Sequence, residues 1–128
     1  MNRKSASKAR QLAVKEVAAL SQIVQVLVAH QREMIQGKAT QLLVKCGKKN
    51  CRCARGERHL AYFLYLSRGG PPRRLWVPAP ERAWVRETSE RYRGFRATRA
   101  ELNRSFKRLL AHLDALEAAL TAPYERAD

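Results

Sequence analysis

All three cysteines of the chain and one histidine fall within fourteen residues, in the run KCGKKNCRCARGERH. Cys46, Cys51, Cys53 and His59 follow the spacing C-x4-C-x-C-x5-H. Four soft or borderline donors joined by short loops are the inventory of a closed tetrahedral zinc site of Cys3His type. Three cysteines cannot all pair, so a complete disulfide framework is excluded. The alternative is thiols without a metal. A free cysteine behaves as a small buried apolar residue, but this run is too polar for a core, and exposed bare thiols invite oxidation. A site filled by four protein ligands keeps no position for water or substrate, so the expected zinc is structural rather than hydrolytic. Reduced, metal-bound cysteines point to the cytoplasm.

The metal run sits in the most basic part of the chain. The 128 residues carry a net charge of +15. Residues 45–108 hold 18 basic and 5 acidic side chains, whereas residues 109–128 hold 1 basic and 4 acidic. Self-repulsion on that scale favours a polyanionic partner, and arginine suits bidentate phosphate contacts. Nucleic acid is the expected partner, DNA before RNA, ahead of an anionic membrane surface or general solubility. The candidate contacts are Lys48, Lys49, Arg52, Arg55 and Arg58 in the loop and Arg73 and Arg74 on a strand. Arg93, Arg96, Arg99, Arg104 and Arg108 on the last helix extend the set. Taken singly, each is a solvated surface position; the cluster carries the expectation.

The periodicities predict an α+β, mainly α fold in one domain. Residues 1–37 form a long N-terminal helix, with Ser5 or Ser7 as N-cap, Gly37 as stop, and an apolar stripe through Leu12, Val17, Leu20, Ile23 or Val24, Leu27, and Met34 or Ile35. Its apolar run is interrupted by Ser21, Gln22 and Gln25, so neither a membrane span nor a secretory signal is expected. Residues 38–79 form a zinc-knuckle-like loop with a β-hairpin. Leu60–Leu66 and Arg73–Val77 pair across the SRGGPP turn, and residues 41–45 are placed to make a three-stranded meander. Trp76 and Trp84 are expected chiefly in packing roles, and as base-stacking platforms only secondarily.

Residues 80–122 form a second long helix, opened by Pro80, and residues 123–128 a frayed tail. Leu102, Phe106, Leu109, Leu113, Leu116 and Leu120 recur at steps of 4, 3, 4, 3 and 4, a heptad seam. Such a seam either folds onto the first helix or forms a coiled coil in a homodimer. It supports a second function class, a protein-interaction adaptor that dimerises or docks a partner. His30 reads as a solvated surface histidine of the first helix, and His112, off the heptad seam, as structural or solvated.

An enzyme is not expected. Cys51-x-Cys53 lacks the spacing of the common redox motif, and no base stands near a candidate nucleophile in sequence.

The run CGKKNCRCARGERHLAYFLYLSRGGPPRRLWVP resembles a family of small uncharacterised bacterial proteins with the pattern CGKxxCxCxxGxxHGPY, a strand ending in LS, a basic strand ending in VP, and a long helix. The matching positions are Cys46, Gly47, Lys48, Cys51, Cys53, Gly56, His59, Tyr62, Leu66, Ser67, Val77 and Pro78. Leu60-Ala61 stands where the family has Gly-Pro. The resemblance spans residues 42 to 110. It implies a setting of mobile elements and DNA metabolism, with a transposase-like or other DNA-processing protein as partner, and no catalytic residues.

Overall fold

The computed structural model describes residues 1–45, 47–52, 56 and 58–127. Among them are two long helices and a three-stranded antiparallel sheet, an α+β architecture that is mainly α. The chain divides into two compact units: Met1–His30 with Arg96–Asp128, and Gln31–Phe95. Helix α2 (Arg82–Leu120) contributes to both.

The first unit is a pair of helices. Helix α1 runs Arg3–Val28, and the Asn2 side chain caps it by accepting from the Ser5 amide at 3.0 Å. Asn2, three residues upstream of Ser5, the nearer of the expected caps, satisfies an amide the first turn leaves without a partner. The Asn2 N–H donates to the Ala119 carbonyl at 2.8 Å, so the start of α1 meets the end of α2 and the helices run antiparallel.

The buried and half-buried stripe of α1 is Ala6, Ala9, Ala13, Glu16, Leu20, Ile23 with Val24, and Leu27, continued just past the helix by His30; that of α2 in this unit includes Leu102, Ser105, Leu109, His112, Leu116 and Ala119. Both advance by alternating steps of three and four, as a packed helix face must. The phase differs from the sequence expectation. Leu102, Leu109 and Leu116 lie on the seam, but the intervening positions are Ser105, His112 and Ala119. Phe106, Leu113 and Leu120, one residue further on, are 51%, 43% and 40% exposed. Leu12 and Val17 of α1 are likewise exposed, and Ala6, Ala9 and Ala13 are buried. One residue is about 100° of helix rotation, so bulky groups next to a seam of small residues fall on its flank. His112 is therefore on the seam, not off it.

Glu16 and Arg108 form an ion pair across the two helices, and Arg108 also reaches Glu101 at 3.2 Å. By length and composition alone, α1 is apolar enough to cross a membrane.

Helix α1 ends at Val28, well before Gly37. The reason lies in the second unit, where residues 31–37 run without helix and Ile35 packs at the core, its N–H donating to the Thr88 carbonyl at 3.1 Å. Strand β1 (Lys38–Val44) pairs antiparallel with β2 (His59–Leu66), and β2 with β3 (Arg73–Trp76). Gly69 and Gly70 turn the β2–β3 hairpin at φ +80° and +151°, a conformation open to glycine at little cost. Gly37 is required differently: a β-carbon there would lie 2.8 Å from Leu64 Cδ1 and 2.9 Å from the Tyr65 carbonyl.

Alternation sorts the sheet into two faces. Ala39, Tyr62, Leu64 and Leu66 pack with Val77 and with Val85 of α2. A short 3-10 turn, Ala79–Glu81, carries Pro80 at its start and leads into α2. Thr88 and Ser89 are fully buried on this part of the helix, their hydroxyls donating to the carbonyls of Trp84 at 2.7 Å and Arg86 at 3.0 Å. Neither tryptophan is in the core. Trp84 is half exposed and donates to the Glu33 carboxylate at 3.3 Å, and Trp76 is 61% exposed on the other face.

Candidate metal centre and basic sheet face

Two of the four expected metal ligands are described. His59 opens β2 and Cys51 ends a turn closed by its own N–H to the Lys48 carbonyl at 3.3 Å. That turn brings Cys51 Sγ to 2.6 Å from His59 Nε2. Cys46, Cys53 and Arg55 lie outside the described residues. Among the described residues, no group of three metal-binding side chains comes together.

The register places His59 opposite Val44 on one face of the sheet, and three more paired rows follow on that face. Leu42 faces Ala61. Thr40, Phe63 and Trp76 make the next row, and Lys38, Tyr65 and Arg74 the last. Arg74 lies over the Phe63 ring at 4.5 Å, which fixes both on the same side. An open cleft of about 630 Å3 begins at Cys51, His59 and Lys48 and continues along Ala61, Phe63 and Trp76. The Cys–His pair thus sits at one end of an aromatic sheet face.

On the helix-covered face, Arg82 stacks over Tyr62 at 4.2 Å, and its Nε donates to the Val77 carbonyl at 3.4 Å. A smaller pocket of about 110 Å3 lies there, with Gln41, Arg86, Glu90 and Arg93 on its walls.

The expected phosphate contacts separate into two groups. Lys48, Lys49, Arg52, Arg58, Arg73, Arg74 and Arg93 are exposed in the sheet unit. Arg96, Arg99, Arg104 and Arg108 are exposed in the helical unit. Arg104 and Arg108 are held by carboxylates: Arg104 donates to Glu101 at 2.9 and 2.7 Å, and Arg108 to Glu16 and Glu101. Hydrogen bonds from Arg104 and then Arg108 hold the Glu101 carboxyl below the usual range, and those from Arg108 to Glu16 and Glu101 raise its own guanidinium. Among the described residues, no ion pair engages the seven cations of the sheet unit.

Sequence reasoning passed over Lys38, Phe63 and Tyr65 as site residues. The signal was available in HLAYFLYL, where alternate positions are the aromatic or basic-flanked face of a strand.

A family model, described as a domain of unknown function (DUF6788), matches residues 10–87. The chain belongs to this family. The DUF6788 match takes in most of α1, the whole sheet and the first turns of α2. It therefore begins earlier and ends earlier than the resemblance drawn from the cysteine run. No curated protein and no solved structure matches the chain.

Proposed function

We propose that this DUF6788 member is a zinc-stabilised, basic nucleic-acid-binding protein, an accessory or regulator in DNA metabolism rather than an enzyme. Cys46, Cys51, Cys53 and His59 would hold a structural zinc. The convergence of Cys51 and His59 supports the metal. A tetrahedral zinc, with sulfur at ~2.3 Å and nitrogen at ~2.0–2.1 Å, sets such donors about 3.5 Å apart, so only a small opening of the pair admits it. The metal would supply no chemistry beyond fixing the loop, which then presents Lys48, Lys49, Arg52, Arg55 and Arg58 beside the sheet.

The observation that carries the nucleic-acid reading is the set of exposed cations on one small unit that no carboxylate engages among the described residues. Unneutralised cations at this density gain most from a phosphate backbone, where each contact releases counterions. The motif resemblance adds the bacterial, mobile-element setting and a transposase-like or other DNA-processing partner, and reduced, metal-bound cysteines add the cytoplasm. The experiment is an anisotropy titration of duplex DNA, single-stranded DNA and RNA over a salt series. For ~6 phosphate contacts on duplex, log K should fall against log salt with a slope of about −5. Absence of binding to all three at low salt would overturn the reading.

A second reading rests on the flank of the helical pair. Phe106, Leu110, Leu113 and Leu120 expose apolar surface on one helix, which suits a homodimer or a docked partner helix. A dimer that persists at high salt would support the adaptor, and a monomer would oppose it.

A further inference from the structure

We propose that the open face of the sheet is a stacking platform for an unpaired nucleic-acid strand, with bases lying on Tyr65 and Trp76 and phosphates on Lys38 and Arg74. The inference rests on the nucleic-acid reading above and names the form of substrate that this site takes.

The first support is position. The sheet has one face committed to α2 through Leu64 and Val85. The other carries the three aromatics in adjacent rows, with Trp76 paired to Phe63, and Tyr65 next to it on the central strand. Trp76 is 61% and Tyr65 37% exposed. Large rings on a solvated face pack across strands through their edges and lower faces and leave their outer faces open. Unlike aliphatic side chains, they offer flat surfaces that any base can meet.

The second support is spacing. Tyr65 and Trp76 are diagonal neighbours on paired strands, ~7–8 Å apart. That distance is about twice the 3.4 Å rise of stacked bases, so an extended strand offers one base to each ring in turn. A duplex hides its base faces within the stack and leaves such rings without partners.

The third is charge. The Tyr65 row is flanked by Lys38 on one side and Arg74 on the other, and the paired rows of this face contain no carboxylate. The cleft ends at the Cys51–His59 pair beside Lys48, so the cations of the metal loop would continue the phosphate track. Cations at the edge and rings at the centre suit a strand whose phosphates run outside its bases. Stacking and phosphate contacts are common to DNA and RNA, so the occupant is defined by being single-stranded.

The test uses an oligo-dT of about twelve nucleotides, within the usual span of one such fold, and a duplex of equal length. Trp76→Ala and Tyr65→Ala should each weaken oligo-dT binding by roughly 5- to 150-fold, with duplex binding within a few-fold of the parent. Trp76→Tyr should keep most of the affinity. In a Trp84→Phe background Trp76 is the single tryptophan, and oligo-dT should quench its fluorescence in step with the anisotropy change. Matching RNA should behave as the DNA does. Should Trp76→Ala fail to fold, this quenching measurement still decides. Unquenched Trp76 with salt-sensitive binding intact, or a folded Trp76→Ala variant that binds oligo-dT as the parent does, would overturn the platform and leave the basic module standing. Loss of all binding by the parent chain would remove both.

Discussion

Replacing Ser105 by alanine should stabilise the helical pair, against the usual direction of a substitution at a buried position. Ser105 is fully buried on the α2 stripe, and among the described residues its Oγ meets no hydrogen-bond partner. A buried hydroxyl left unsatisfied costs about 1–3 kcal/mol. Alanine removes that cost and adds a few tenths of helix propensity; the loss of one oxygen's packing offsets part of the gain. The net is about 1–2 kcal/mol. With ~2.1 cal/mol/K of unfolding entropy per residue, a chain of this length should gain about 4–7 °C in Tm. Thermal melts by far-UV circular dichroism measure this directly. Ser89 is the control. It too is fully buried on α2, but its hydroxyl donates to the Arg86 carbonyl at 3.0 Å. Ser89→Ala gives up a made bond worth ~0.5–1.5 kcal/mol and should be neutral or destabilising. Equal shifts for the two variants, or a lower Tm for Ser105→Ala, would refute the reasoning that an unmet hydroxyl sets the sign.

Gly37→Ala should destabilise by about 1–3 kcal/mol in chemical denaturation, because its new β-carbon meets a strand carbonyl that cannot swing away. Cys51→Ser and His59→Ala should each abolish zinc uptake, measured by elemental analysis of protein refolded with zinc, and chelation should lower the parent's Tm. Acid should weaken the helical pair. The Glu101 carboxyl is held below its usual range by Arg104 and Arg108, so its contribution is complete above the unfolded carboxylate range and is lost as pH falls through the depressed folded value. Melts from neutral pH downward should therefore show a steeper loss below about pH 4.5 for the parent than for Glu101→Gln.

The sheet was legible because its signals are local. The alternation in LAYFLYL and the Gly-Gly turn specify β2, β3 and their hairpin without reference to the rest of the chain. The helices were legible as periods but not in phase. Leucine and phenylalanine dominate any reading of a stripe, yet the seam passes through Ala6, Ala9, Ala13, Ser105 and Ala119, small residues that leave no apolar signature of their own. The end of α1 was hidden for a related reason. Nothing between Ser5 and Gln36 breaks a helix locally, and the chain leaves it so that Ile35 can reach Leu64 and Val85. That contact is tertiary. At the site, the Cys–His spacing and the excess of arginine could be read directly. The split of those arginines into unpaired cations and carboxylate-bound ones could not, since Glu16 and Arg108 are far apart in sequence and meet only across the helix pair.

One titration tests the link between metal loop and binding face most directly: oligonucleotide affinity of the zinc-loaded chain, of the same sample after chelation, and after zinc is restored. The account predicts tight, salt-sensitive binding that weakens on chelation and returns with zinc. Affinity indifferent to the metal would contradict it, and would detach the Cys51–His59 pair from the nucleic-acid surface beside it.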